Sequence, residues 1–195
     1  MKIYRWKFLN EVNGKIKSAN GDLTWQIGKW KTHKGKLKIC KQGLHCSKGV
    51  YQAFSYIQGE ILAEVECDGR KQVQDDKEVY SKMRIVRAYK WQKKDSVELA
   101  IYAARLVLKY FEKKYPKDKQ PRKAIEAAEK YVKNPTEKNR LAARAAAGDA
   151  AWAAGDAARA ARVAAWAAAW AARAALIAKI ATWMDKYVSK LEIYQ

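Results

Sequence analysis

Histidine is almost missing from this sequence: His33 and His45 are the only two in 195 residues. Acid–base catalysis runs most often on histidine, so the shortage narrows the room for ordinary hydrolytic chemistry. Cysteine is scarce and odd in number, with Cys40, Cys46 and Cys67, which excludes a fully paired disulfide framework and suits free thiols in a reducing compartment. Gly-rich phosphate loops, a Ser-His-Asp order and metalloprotease motifs are all absent. The most apolar stretch, Val163 to Ala178, is too short to span a bilayer, is mostly alanine and carries Arg173. The first residues alternate Lys or Arg with apolar side chains and lack the apolar centre of a secretory signal. These absences give a reading of a cytoplasmic protein with no membrane partner and no cofactor.

Acidic residues are the minority charge. Forty Lys+Arg stand against 20 Asp+Glu, a formal net charge of +20, and such an excess predicts attraction to nucleic acid or to another acidic partner. The excess is strongest at the start. Residues 1–48 hold 12 basic side chains against Glu11 and Asp22, with Trp6, Trp25 and Trp30 interleaved. Lysines beside aromatics describe either a solvated lysine-rich surface with the tryptophans in the core or a groove for single-stranded nucleic acid, where phosphates meet cations and bases stack. Lys29, Lys31, Lys34, Lys36 and Lys38 with Trp30 are the candidate nucleic-acid-binding set.

Turn and period signals divide the chain in two. Lys2 to Leu9 reads as a strand, and Asn13-Gly14 and Asn20-Gly21 as turn dipeptides that each close a short strand. Leu37 to Cys40 reads as a further strand, residues 49–57 as one short helix, and Ile61 to Val65 and Val79 to Tyr89 as strands around a polar turn from Asp68-Gly69 to Asp76. Past Trp91 the pattern turns helical. Asp95 to Glu98 has the form of a capping box, and Val97, Ala100, Ile101, Ala104, Leu108 and Phe111 make an inner stripe. Pro116 ends that helix, Pro121 opens a second with Ala124, Ile125, Ala128 and Val132 inward, and Asn134 to Glu137 caps a third. The expected fold is α+β: a small basic β-rich domain over residues 1–93, then an alanine-rich helical bundle over 94–195.

Between Ala142 and Ala175 alanine fills 22 of 34 positions. Alanine favours the helix but buries little side chain, so such a segment depends on close packing and on its few large residues. Trp152, Trp166 and Trp170 fall near one direction, Arg144, Arg159, Arg162 and Arg173 on a neighbouring strip, and roughly 160° of surface carries alanine alone. The smooth face suits tight packing or a homodimer. The plainer expectation packs Trp152, Trp166 and Trp170 as core against the Ala100–Leu108 helix. If the strip is exposed, Arg159, Arg162, Trp166, Trp170 and Arg173 are the candidate protein-binding residues, because Trp and Arg dominate binding energetics.

Two resemblances add to this reading. Val97 to Leu108, Phe111-Glu112 and Tyr115 to Ala128 resemble a helical "putative immunity protein" domain of bacterial toxin–immunity loci and phage genomes. Its recognisable centre, Pro-x-Asp-x-x-Pro-Arg-x-Ala-Ile-Glu-Ala-Ala, is matched by Pro116, Asp118, Pro121, Arg122 and residues 124–128. Gln120 stands where the family often has Arg. Gly43 to Ser47, Ala53, Tyr56 and Ile61 to Glu66 resemble a small domain of phage proteins. The resemblance implies a mobile-element protein of immunity or anti-defence type, acting in the host cytoplasm. It would bind nucleic acid or a nucleoprotein defence effector, with a second protein contact through its helices.

An enzyme of another class is the alternative. Arg5 on a first strand, Gly43 to Ser47 and the strand carrying Glu64 and Glu66 are similar in order to ADP-ribosyltransferase folds, which would make Arg5, His45 and Glu66 catalytic. The plainer expectation leaves both glutamates solvated on a half-buried strand. Cys40, His45, Cys46 and Cys67 have the right chemistry for zinc, but the spacing fits no knuckle and neighbouring His45 and Cys46 are awkward joint ligands, so no metal site is expected.

Overall fold

In a strand, alternate side chains point to opposite faces, and the first strand here sorts two cations onto the inward one. The computed structural model describes residues 2–57, 59–146 and 166–194, the side chains of 166–174 excepted. Strands β1 (Ile3–Val12), β2 (Lys15–Lys17), β3 (Thr24–Trp25), β4 (Lys31–Thr32) and β5 (Leu44–Cys46) come first, then helix α1 (Val50–Tyr56) and the long strands β6 (Ile61–Val73) and β7 (Glu78–Lys90). Helices α2 (Lys93–Lys114), α3 (Gln120–Lys133), α4 (residues 137–146) and α5 (Trp166–Tyr187) follow, with one 3₁₀ turn at Val188–Lys190. The architecture is α+β, a strand-rich N-terminal part followed by a helical bundle. Two compact units result, one of Met1–Gln92 with Ala181–Gln195 and one of Lys93–Ile180. Residues 181–194 therefore group with the sheet, whereas the division at 93/94 read from the sequence groups them with the helices.

The sheet runs β3-β2-β1-β6-β7-β4, with β5 also on β7. Asn13 and Gly14, at φ 52° and 69°, make the two-residue turn between β1 and β2, where two left-handed residues match the strand twist. The edge of β1 that faces away from β6 is used a second time. Trp6 and Ser47 exchange two backbone hydrogen bonds, each 2.9 Å, and β5, just before Ser47, pairs with β7. The circuit β1–β6–β7–β5–β1 is thereby closed, and Leu9, Leu44, Ala63, Val65 and Tyr80 belong to the apolar cluster of this unit.

Arg5 and Lys7 share the face of buried Leu9. Arg5 is neutralised in place: its Nε and Nη2 donate to the Glu78 carboxylate at 2.7 and 3.1 Å, and the Tyr80 hydroxyl donates to the same group at 2.6 Å. The Glu78 side chain is 1% exposed and that of Arg5 24%. Burial works to raise the Glu78 pKa, but the hydrogen bonds from Arg5 and Tyr80 and the Arg5 charge outweigh it and hold the carboxyl below its ordinary range.

The outward neighbour Phe8 starts a second core. Its ring meets Phe54 of α1 at 5.6 Å and Trp91 at 5.4 Å between centroids, and Trp91 meets Tyr187 at 6.1 Å. Residues 192–194 add to β7, with Lys90 N–H on Glu192 O and Tyr194 N–H on Ala88 O, both at 2.8 Å.

Three local expectations are corrected. Leu37 to Cys40 is not a strand: it makes a single bridge, Lys38 to Gln42, and Cys40 sits at φ 64° in a turn. Asp68-Gly69 is not a turn either. The β6–β7 pairing shifts register between Asp68 and Lys71 and continues, with Gly69 at φ 79°, because a left-handed glycine accommodates an extra residue within a strand. The reversal comes at Gln74–Lys77. In α2 the helix begins at Lys93, so Asp95 lies buried in the first turn rather than at the cap, and Leu99 is buried where Ala100 is exposed.

In the helical unit, Arg122 of α3 donates twice to Glu112 of α2, both at 2.7 Å, and Arg105 pairs with Glu129. Asp118 Oδ1 accepts the Gln120 N–H at 2.9 Å, and Thr136 Oγ1 accepts that of Asn139 at 3.2 Å at the start of α4. Trp152, Arg159 and Arg162 lie outside the described residues, as does most of the alanine face. Trp166, Trp170 and Arg173 are on α5, with their side chains outside the description.

Two outcomes follow from this packing. Tyr187→Ala should lose about 3–5 kcal/mol in urea unfolding of the sheet unit, the usual range for emptying an aromatic core position. Arg5→Ala strands the Glu78 charge and should lose about 3 kcal/mol at neutral pH, the low end for a buried pair because Arg5 is partly solvated. The Glu78 contribution is present above the unfolded carboxyl pKa and is lost as pH falls through its lowered folded value. The gap between Arg5→Ala and the parent should therefore close on acidification, read as unfolding midpoints across a pH series.

Candidate binding cavity and basic surface

A cavity of about 420 Å³ opens in the sheet unit, walled by β1, the loop between β2 and β3, residues 40–47, α1 and Lys77. Lys7 lines it and is half-buried. Nζ donates to the His45 carbonyl at 2.9 Å and stands 5.9 Å from the Trp25 ring centroid. Burial pushes the Lys7 pKa down, against a weaker upward pull from Cys46 and Cys67. Among the described residues Lys7 has no carboxylate partner in an ion pair.

His45 is placed by β5, and its Nε2 accepts the Cys40 N–H at 2.9 Å. That bond needs the Nε2 lone pair, so the ring carries its proton on Nδ1. Burial first, and then the charge of Lys7, hold its pKa below the ordinary histidine value. Cys46 and Cys67 are buried with their sulfurs 3.7 Å apart. The Cys67 sulfur and burial push the Cys46 thiol up, which makes it a poor nucleophile next to His45. Cys40 is exposed at the cavity. No group of three or more His, Cys, Asp or Glu among the described residues is placed to hold a metal ion.

Arg5, His45 and Glu66 are not brought to one place. The β1–β6 register sets Glu66 opposite Tyr4 and Arg5 opposite Val65, so Arg5 and Glu66 point to opposite faces. Arg5 is held by Glu78, and of the three only His45 lines the cavity. The expected solvation of both glutamates is corrected for one of them. Glu66 is 7% exposed and accepts two hydrogen bonds from Arg84, at 2.9 and 2.6 Å, while Glu64 stands 4.0 Å from Arg87.

The lysine-rich segment is tied to the sheet along its length. Gly28 N–H bonds Ile85 O at 2.8 Å, His33 N–H bonds Ser81 O at 2.7 Å, and Leu37 is buried. The Arg70 guanidinium donates to the carbonyls of Lys34 and Gly35, at 3.3 and 3.1 Å. Lys29, Lys34, Lys36 and Lys38 are exposed, and Lys31 is half-buried in β4. Trp30 is 42% exposed, with the Arg84 guanidinium 4.9 Å from its ring centroid.

Sequence reasoning missed Lys7, Trp25 and Lys77 as cavity residues and Glu78 as the Arg5 partner. The signal was the inward row of β1: Ile3, Arg5, Lys7 and Leu9 share one parity, so two cations had to be accommodated inside.

Comparison with known families fits this layout. Residues 7–95 match a domain of unknown function (DUF7666), a segment that takes in most of the sheet unit, its cavity and the lysine-rich run. No curated protein and no solved structure matches the chain. No helix among the described residues is long and apolar enough to cross a membrane. Residues 89–194, which carry the Pro116 to Ala128 motif, match the family described as "Imm-5 like putative immunity protein", and with just over half of its 195 residues in that match the chain belongs to this family.

Proposed function

We propose that this protein acts by stoichiometric binding as an immunity-type inhibitor, engaging nucleic acid or a nucleoprotein effector through the lysine-rich face of its sheet unit. The observation that carries the reading is Trp30, an exposed indole backed by the Arg84 guanidinium, in a segment whose Lys29, Lys34, Lys36 and Lys38 are also exposed. An exposed ring offers a stacking platform for a base, and the lysines offer phosphate contacts along the same strand. Because Glu66 neutralises Arg84, that guanidinium serves as a flat support rather than as net charge. The many ties to β7 and Arg70 reduce the ordering cost of binding, since a surface that is already fixed loses little freedom.

The helices supply the second contact in this reading, through Arg159, Arg162, Trp166, Trp170 and Arg173. The alternative occupant of the lysine face is an acidic protein, and a phage or other mobile-element origin with an anti-defence role belongs to the same proposal. The boundary at 93/94 is likewise proposed as the junction between the nucleic-acid-binding and protein-binding parts.

Salt dependence separates the occupants. With 6–10 phosphate contacts, affinity for single-stranded nucleic acid should fall by roughly 10³ or more between about 50 and 200 mM salt. Lys34→Glu and Lys36→Glu should flatten the salt slope, by about 0.7 for each phosphate of a single strand that is no longer neutralised. Trp30→Ala should weaken binding by about 1–3 kcal/mol with the slope unchanged, because stacking releases no counterions. Fluorescence anisotropy with a labelled oligonucleotide reads both quantities. Absent or salt-insensitive binding would transfer the lysine face to an acidic protein.

A further inference from the structure

Lys7 takes no part in the strand-binding surface, and its position has a cost. It is half-buried at the cavity wall, its hydrogen bond goes to a neutral carbonyl, and no described carboxylate pairs with it. A carbonyl dipole does not neutralise an ammonium, so a charge left this way stays unfavourable until an anion arrives. The cavity does not provide that anion. Lys7, Lys41 and Lys77 line it together with His45, and no Asp or Glu does. Asp76, beside Lys77 in sequence, is engaged by the Tyr56 hydroxyl and is not in the lining. Three lysines around a concave, low-dielectric wall focus positive potential into it.

The rest of the wall is aromatic and hydrogen-bonding. Trp25, only 2% exposed and held by its Nε1–H on Ser18 Oγ at 2.9 Å, backs the wall from the core, Tyr56 of α1 is 46% exposed, and Asn20 adds an amide. A volume of about 420 Å³ lies within the range that holds small organic ligands. We propose that this cavity is a binding site for a small organic anion bearing a flat ring, the size of a nucleoside monophosphate, with its anionic group on Lys7 and its ring against the exposed Tyr56. This goes beyond the strand-binding reading and shares no residue with Lys29–Lys38. Because burial disfavours the charged form of Lys7 and a bound anion favours it, occupancy and protonation reinforce each other.

Titration of the full chain with adenosine and uridine 5′-monophosphate, followed by tryptophan fluorescence, tests the site. Inorganic phosphate and the uncharged nucleosides are the comparison probes. Saturable quenching by a monophosphate is expected, with nucleosides and phosphate binding at least about tenfold more weakly, since each lacks one half of the recognition. Lys7→Met should lower the affinity at least about tenfold and Lys77→Glu severalfold, whereas Lys34→Glu and Lys36→Glu leave it unchanged. Alkylation of exposed Cys40 by iodoacetamide should slow severalfold when the ligand is present. If Lys7→Met does not fold, Lys77→Glu and the Cys40 protection decide the matter. A 5′-phosphorylated oligonucleotide that displaces the monophosphate identifies the ligand as a strand end, and one that does not displace it identifies a free nucleotide. Three results would overturn the site: no saturation by either monophosphate up to about millimolar levels, the range where weak specific binding still registers; equal binding by inorganic phosphate; or binding that depends on Lys34 and Lys36 but not on Lys7 or Lys77.

Discussion

The alternation of β1 is the constraint from which the sheet unit follows. Once Leu9 is inside, Lys7 and Arg5 must be inside too, because no strand can turn one side chain without shifting its register. A closed circuit of strands then has to absorb two cations. Arg5 is absorbed by Glu78, which is why the start of β7 carries a buried carboxylate and why Tyr80 points its hydroxyl there. Lys7 receives a backbone carbonyl from β5 and the face of Trp25, and no described carboxylate. The two solutions differ in kind: one pair is complete and pins the strands together, and the other leaves charge available at the wall of a cavity.

The opposite face obeys a different rule. There the large side chains are Phe8, Phe54, Trp91 and Tyr187, with tilted or edge-on ring contacts. Such pairs gain from the ring quadrupole as well as from burial. At the far end of the sheet the aromatics open to solvent, with Tyr4 43% and Trp30 42% exposed. The unit thus uses its aromatic residues twice, as core near α1 and as surface near β4.

Much of this was legible because it is local. Asn13-Gly14 announces a hairpin since few other dipeptides accept two left-handed residues, and the short α1 follows from Val50 and Ala53 on one face. The immunity-family motif also has a local physical reading. Asp118 holds the Gln120 N–H, Pro121 fits the first turn of α3, and Arg122 grips Glu112 on the preceding helix. The part of residue 120 that the loop uses is its backbone N–H, so Gln in place of Arg leaves the turn intact. What was not legible depends on pairing across long separations. Glu78 lies 73 residues from Arg5, and nothing near either one names the other. Gly69 reads as a turn by composition, and only the partner strand shows that the chain carries on past it. The contribution of residues 181–194 to the sheet was hidden for the same reason, since their helical period looks the same whichever neighbour they serve.

That last feature bears on synthesis. The sheet unit uses residues from both sides of the helical segment, so the segment is a long excursion inside it. Thermodynamically the excursion is cheap, because closing a loop costs only about 0.6 kcal/mol more for each doubling of its length. In time it is not. A ribosome will have released β1 through β7 long before Tyr187 exists to pack on Trp91, and until then that ring lacks one of its aromatic neighbours. The α2–α3 pair, whose ion pairs Arg105–Glu129 and Arg122–Glu112 are near in sequence, can settle during that interval. The order of maturation is therefore the reverse of the order of translation, with the first domain to be made the last to be finished.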